Sequence, residues 1–555
     1  MRKSVKISLI VVGSIVAALI IAIVSTDIWA SRVANNAIQR SLSGIQDSEL
    51  VVRVGDIHVG LLTGMVDITD IYLATDTGTF DADAKRKRPG LQVQVPHLTF
   101  ELINYYDLLR KHEINLFGIT VHHPQAMCWF DERHPELCLP QLPKDTTLHQ
   151  NANEWLKGID INRVRVLGAS AQLVSVCTPL RTAVDSLSVQ VEDINYSLAD
   201  SLFSYSDSTY SLHLGHFYLR TPDGLSEVDM RDLEQEDAGE LTIGRTRYRN
   251  IVSSRKLADK NNEPTTWLDL TVRRVCTSPL NPIRKAMAQD WTLDSLYVDV
   301  QRLHVIRDKR HAPKRPFPMP QEAILQIPAP FAVHNVHALA RAIDVELQST
   351  DDNIGKMHLE SIHAQLKNIT NKKNATWKCH VSAPFGKDGH VKAAMDLHIA
   401  RDGKFDIDIE GSDIELGQLN SFLRPLVGIT CESHVDRLQT HYSGDNNVAN
   451  GEFLLMYHGL DVRVHKEDNI PYKAIQQNAG FIQSAANNLI PKSNPTAVDP
   501  APRRYYVTWK RDPWNEFPLF AFGPCIDGVL KTMLPGLNVH NQVRDAQPAK
   551  KSKKK

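Results

Sequence analysis

The sequence predicts a mainly β protein. One N-terminal transmembrane helix leads into an elongated, curled, antiparallel β-sheet groove of repeated strand units, with a few short helices. Three observations point there. A single long apolar run opens the chain, an eight-residue pattern with apolar anchors at positions 1, 3, 6 and 8 recurs along it, and helical periodicity is confined to short stretches.

The recurring pattern is clearest at Ile114–Val121. Further copies lie at Val66–Leu73, Ile159–Val166, Leu212–Leu219, Trp291–Val298, Phe331–Ala338 and Met357–Ala364, with a looser one at Leu241–Tyr248. On a helix the four anchors fall near roughly 0°, 200°, 140° and 340°, which makes no single face. On a strand the outer pairs each take one side of the sheet, and the extra central residue reads as a bulge or tight bend. With 42% of residues apolar, roughly 3% of windows match by chance, on the order of 17 in this chain, so context has to carry the pattern. Three copies have that context: Ile114–Val121, Ile159–Val166 and Phe331–Ala338 are each followed by a further extended segment.

The elements follow in chain order. Residues 7–24 carry the anchor residues Ile7, Leu9, Ile10, Val11, Val12, Ile15, Val16, Leu19, Ile20, Ile21, Ile23 and Val24, preceded by Arg2, Lys3 and Lys6. As a helix this run is roughly 27 Å long, close to the hydrocarbon thickness of a bilayer, and the basic flank places the N-terminus in the cytoplasm. A cleavable signal peptide ending near Ala30 is the rival reading; the run is long for one and Ile28-Trp29-Ala30 is a poor cleavage site. Ile28–Leu42 keeps approximate helical spacing. Val51–Ala74 predicts strand pairs broken at Gly55 and Gly64, and Leu91–Leu102 a strand, with a helical turn over Tyr105–Lys111. Between them, residues 75–90 form a charged loop whose Lys85–Arg88 cluster either touches anionic headgroups or is simply solvated.

Farther on, strands are expected over Ser186–Val191 and Ser211–Leu219, and a loop or short helix over the acidic Ser226–Gly239. Pro279–Gln289 reads as a helix and Arg307–Gln321 as a Pro-rich, non-helical connector. Nearly everything from Phe331 to Glu410 is extended. A Pro-bent helix follows at Asn420–Val427, and an amphipathic helix at Ile475–Leu489. A strand at Tyr505–Trp509 precedes the apolar segment Leu519–Leu534. The tail, with Lys550–Lys555, is expected to be disordered, as a lipid-binding or merely solubilising end.

Composition excludes more than it identifies. A formal net charge of −1 gives no field that would attract nucleic acid. The seven cysteines are single, without a CxxC pair, which argues against a zinc ribbon or thioredoxin-type site. Cys128 and Cys138 flank a Pro-containing bend, and a bridge or two free thiols are both open. No GxSxG, HExxH or GxGxxG motif occurs, and Gly386-Lys387 lacks the rest of a phosphate loop. His122-His123 lies at a strand end, where neighbouring side chains diverge and cannot chelate one metal simply. No cofactor, metal or catalytic residue is expected, and the chain reads as a non-enzyme. A strand-rich chain with one apolar face must bury that face against itself, a second sheet or an apolar guest. Candidate groove residues are Ile159, Ile161, Val164, Val166, Phe331, Val333 and Val336.

The lone anchor followed by Val54–Val59, Leu61–Leu73 and Leu91–Pro124 resembles the N-terminal region of AsmA-like proteins. The stretches Trp291–Ile306, Ile327–Ile343, Asn494-Pro495 and Arg503–Asp512 are similar to large AsmA-related proteins of Bacteroidetes-type bacteria. TamB and YhdP, larger relatives, are similar to chorein-type bridge proteins that move phospholipid along a hydrophobic channel. The resemblance implies a single-pass inner-membrane protein with its bulk in the periplasm and a role in outer-membrane biogenesis. Its partners would be phospholipid, the inner membrane and an outer-membrane or envelope protein, with no nucleic acid.

The organisation that follows has a cytoplasmic N-terminus (1–6), an anchor (7–26) and an AsmA/chorein-like unit (27–139). Middle repeats (151–306), the connector (307–321) and a C-terminal β region (322–489) come next. A last strand with an apolar segment (490–540) and the Lys-rich tail (541–555) complete it. The function expected is binding and transport of phospholipid toward the outer membrane. A scaffold assisting outer-membrane protein assembly is the alternative, and an extracytoplasmic enzyme of unrecognised type a remoter one.

Overall fold

A computed structural model describes residues 27–36, 51–61, 63–75, 89–133, 158–197, 202–204, 209–237, 239–281, 285, 291–465 and 490–533. The anchor, the Lys85–Arg88 cluster, Cys138, the helix expected at Ile475–Leu489 and the Lys-rich tail lie outside these residues, as do residues 282–284 and 286–289 of the helix expected at Pro279–Gln289. The protein is mainly β, and its long sheet is mixed rather than purely antiparallel. The chain divides into two compact units, Met1–Gly244 and Arg245–Lys555. That boundary falls inside the stretch expected as continuous middle repeats.

In the first unit, residues 27–36 form a helix, α1. β1 (Val51–Arg53) and β2 (Ile57–Gly60) both pair with β3 (Met65–Ala74), which pairs with β4 (Gly90–Glu101). A short helix, α2 (Tyr105–Arg110), capped by the Asn104 side chain, leads to β5 (Glu113–His122) and β6 (Gln125–Phe130). These two form a single track, broken at His123-Pro124, between β4 and β7 (Gly158–Ser175). β8 (Arg181–Ser197), β9 (Leu202–Ser204), β10 (Tyr210–Arg220), β11 (Ser226–Glu236) and β12 (Glu240–Ile243) complete the unit in antiparallel pairs. The acidic stretch expected as a loop or helix is therefore the strand β11. Its charges find cross-strand partners: His216 Nε2 lies 2.9 Å from Asp229, and the Tyr218 hydroxyl donates to Glu227 at 3.1 Å.

The second unit runs β13 (Thr246–Asn250), α3 (Ser254–Asn261), β14 (Thr265–Pro279), β15 (Trp291–Asp308), α4 (Pro320–Leu325), β16 (Phe331–Gln348) and β17 (Ile354–Thr370). β18 (Thr376–Phe385), β19 (Gly389–His398) and β20 (Phe405–Glu415) follow, then α5 (Asn420–Val427) with Pro425 inside it. β21 (Ile429–Gly444), β22 (Val448–Val464), β23 (Arg504–Lys510) and α6 (Phe517–Met533) close the unit. Sequential strands pair antiparallel, except that β15 and β16 are parallel. The Pro-rich connector is more than a linker. Its end is helical, with Pro320 at the first position of α4, where a missing N–H costs nothing. Met319 is fully buried, and Arg511 donates to the Phe317 carbonyl at 2.6 Å.

The recurring sequence pattern marks the two parallel junctions. Ile114, Leu116, Ile119 and Val121 pair in register with Ile159, Ile161, Val164 and Val166. In the second unit Trp291, Leu293, Leu296 and Val298 pair with Phe331, Val333, Val336 and Ala338 in the same way. A parallel neighbour needs a crossover of a dozen or more residues, which residues 131–157 and 309–330 supply. At the centre of two copies of the pattern the expected bend is a left-handed residue, with φ of 50° at Asp70 and 51° at Ser361; the copies at the parallel junctions have no left-handed residue there. In β17 the in–out alternation slips there. Glu360 and Ser361 are both exposed, as are Lys367 and Asn368 (φ 57°), so that Met357, Leu359, Ile362, Ala364, Leu366 and Ile369 share one face.

Candidate functional site: an uncovered apolar sheet face

Cross-strand partners point to the same side of a sheet, so the register assigns faces. In the first unit one row runs Ile57, Ile68, Leu98, Val121, Val166, Val189 and Leu212. A second runs Val59, Val66, Phe100, Ile119, Val164, Val191 and Tyr210. Both are apolar throughout. The row between them, His58, Asp67, Thr99, Thr120, Arg165, Gln190, Ser211 and Glu236, is polar throughout and faces the other way.

The two faces differ in how they are satisfied. On the polar face the Thr99 hydroxyl donates to Asp67 at 2.8 Å, His97 Nε2 lies 3.0 Å from the same oxygen, and His97 stacks on His122 with ring centroids 5.1 Å apart. Glu101 accepts from Thr120 and Arg165, each at 2.9 Å. Burial pushes the Glu101 carboxyl up, but the Thr120 hydroxyl and the Arg165 guanidinium outweigh it and hold it below its ordinary range. The apolar face has no such closure. From Val66 and Ile68 across to Val189, Val191 and Leu212, every row member on β3, β4, β5, β7 and β8 is only half-buried. Among the described residues, the one apolar cluster in this unit is small: Ala30, Ile57 and Val59, where α1 packs on β2.

The second unit shows the same face both bare and covered. The row Leu296, Val336, Leu366, Cys379, Met395, Ile407 and Tyr442 crosses seven strands. Its first five members are half-buried, whereas Ile407 keeps 5% exposure and Tyr442 none. The change comes where α6 lies over the sheet and contributes Phe520 and Ala521 to the core of Leu397, Phe405, Ile407, Ile409 and Tyr442. The Tyr442 hydroxyl donates to the Ala521 carbonyl at 2.6 Å. Asp527, 2% exposed, accepts from the Thr508 amide at 3.0 Å and from Lys531 at 2.8 Å. Gly523 and Gly528 let the helix lie directly on the Trp509 and Phe453 rings; a Cβ at either would overlap them. Burial pushes the Cys525 thiol, enclosed under this helix, up to about 11, so it behaves as an apolar filler rather than a nucleophile.

All seven candidate groove residues belong to this half-buried set, with Ile159, Ile161, Val164 and Val166 on β7 and Phe331, Val333 and Val336 on β16. Sequence reasoning missed that the same face continues onto β18 and β19, because Cys379, Ala393 and Met395 do not stand out as a pattern. His122 and His123 do not converge: His122 stacks on His97, while the His123 ring abuts Gly168, where a Cβ would overlap it. Among the described residues no group of three His, Cys, Asp or Glu could hold a metal ion, and no helix is long and apolar enough to cross a membrane. No family model, curated protein or solved structure matches the chain.

Proposed function

We propose that the chain is a membrane-anchored protein of the bacterial envelope whose uncovered apolar sheet face binds the acyl chains of phospholipid and passes phospholipid toward the outer membrane. One observation carries the reading: rows of apolar side chains cross many strands while remaining half-buried, and the row between them that faces the other way is polar from β2 to β11. Water against such a face is costly, and each methylene that leaves it gains about 0.8 kcal/mol. Acyl chains fit because the rows are long, continuous and without a polar group that would select one headgroup. The periplasmic setting and the direction of transfer rest on the resemblance to AsmA-like proteins and on the apolar run at residues 7–24.

The test is native mass spectrometry of the full chain extracted in mild detergent. Bound phospholipid is expected, and Val333→Asp or Val166→Asp should reduce it several-fold without lowering the unfolding midpoint much, since both sites are half-buried. A chain that carries no phospholipid, or variants that carry as much as the parent, would sink the reading. The outward stripe Leu519, Phe522 and Ile526 on α6 favours a second reading as an envelope scaffold. That reading requires a protein crosslinked to this stripe and normal behaviour from the Asp variants.

A further inference from the structure

One end of the first unit is apolar in a way the sheet face does not explain. At the start of the strands, Trp29 of α1 is 66% exposed, Leu102 57%, Tyr106 62% and Leu109 73%, with Leu61 and Met65 of the β2–β3 turn also exposed. Hydrogen bonds hold these pieces together. The Leu61 amide donates to Asp27 at 2.9 Å and the Val59 amide to Ser31 at 2.8 Å, fixing α1 to the turn. The Ile103 amide donates to the Gly64 carbonyl at 2.7 Å, and the Asn104 amide to the Asn115 carbonyl at 3.0 Å, fixing the Leu102 corner and α2 beside it. Leu102 adopts a left-handed φ of 50°, a conformation that favours glycine, yet the position holds a leucine pointed at solvent.

The sequence supplies the occupant. Only Ser25 and Thr26 separate α1 from the apolar run of residues 7–24. Even fully extended, two residues span no more than about 7 Å, so a bilayer crossed by that run begins at this end of the unit. The opposite end of β3 and β4, where the Thr75 amide meets the Leu91 carbonyl, lies a strand length away, roughly 30 Å. Thr75 and Pro89, which bracket the charged stretch 76–88 in the sequence, both lie at that far end. Trp and Tyr among the exposed residues suit the headgroup level, where one edge of the ring is wet and the body apolar.

We propose that Trp29, Leu61, Met65, Leu102, Tyr106 and Leu109 form a rim that sits in the headgroup–acyl boundary of the bilayer beside residues 7–24. The inference rests on the reading of that run as a membrane span, and it brings the apolar rows of the first unit to the membrane surface. It is tested on the full chain in vesicles of phosphatidylethanolamine and phosphatidylglycerol containing a doxyl-labelled phospholipid. A dansyl-bearing amino acid is installed in place of Leu61, Leu102 or Leu109, and at Thr178 in the β7–β8 turn as the far-end control. Quenching several-fold stronger at the three rim positions than at Thr178 is expected, and Leu109→Asp should lower it at Leu61.

Rim positions quenched no more than Thr178 overturn the proposal, as does a chain that fails to float with the vesicles. Burial of the rim labels in a co-purified protein instead of lipid also overturns it. The outcome separates from that of lipid binding. Strong rim quenching without co-purified phospholipid leaves the rim standing and removes the transport reading, and the reverse pattern does the opposite.

Discussion

His358 lies between two carboxylates, with Nδ1 2.7 Å from Asp344 and Nε2 2.9 Å from Glu360. Its hydrogen bonds to Glu360 and then to Asp344 raise its pKa above the ordinary 6.5, and Glu415 does the same for His434. His122 goes the other way, lowered first by burial and then by the neighbouring His97 and His123. A raised folded pKa makes a stabilising contribution that is complete below about 6.5 and is lost as pH climbs through the folded value. Solvent screening keeps that contribution small for a ring as exposed as His358. The titrations themselves are the sharper readout. In the folded chain, NMR should place the midpoints of His358 and His434 above 6.5 and that of His122 below it, and Glu360→Gln should bring His358 down. Three midpoints indistinguishable from 6.5 would show that these side chains do not hold the drawn geometry. The dispersal of histidines at the polar positions of the strand pattern was readable from sequence. Their partners were not, because Asp294 for His334 and Asp229 for His216 are set by cross-strand register.

The left-handed residue inside a strand is the element that makes this sheet one-sided. With Ser361 in place, Met357 and Leu359 before it and Ile362, Ala364 and Leu366 after it share a face. Deleting Ser361 restores plain alternation and turns everything from Ile362 onward to the polar side, since a one-residue slip reverses every side chain. The half-buried Ile362, Ala364, Leu366 and Ile369 would then face water, a loss on the order of 2–5 kcal/mol. Ser361→Gly removes only the Cβ penalty of the left-handed conformation and should stabilise by up to about 1 kcal/mol. Urea unfolding midpoints check both, and a deletion as stable as the parent would show that the kink has no part in sorting the faces.

This kink is also why the strand pattern could be read at all: it spaces two apolar pairs by two polar residues, a spacing that fits neither a helix nor a regular strand. What sequence could not show is direction. Copies that pair parallel, such as Ile114–Val121 with Ile159–Val166, look the same as copies that pair antiparallel. The strand β11 was hidden for a related reason, since Val228, Met230 and Leu233 are its few apolar residues and its charges look like a loop until β10 supplies their partners.

At the scale of the molecule, the second unit contains its own control for the proposed activity. Val336 and Leu366 sit in a row that stays half-buried, and Ile407 lies farther along the same row beneath α6. A photoreactive benzophenone side chain at each position, with folding verified by circular dichroism, reports what touches that part of the face. If acyl chains occupy the uncovered strands, phospholipid adducts form at Val336 and Leu366, while the group at Ile407 is captured by α6 of the same chain. Asp527→Ala tests whether the helix limits that extent. It leaves the Thr508 amide and the Lys531 ammonium without their shared acceptor, at a cost of about 1–3 kcal/mol, and so weakens the grip of α6 on β23. Phospholipid adducts at Ile407 should then rise at the expense of those with α6. Equal phospholipid adducts at Val336 and Ile407 in the unmodified chain would mean that α6 does not close the face. The absence of adducts at Val336 and Leu366 would mean that these rows face water or protein, and the lipid reading would fall with them.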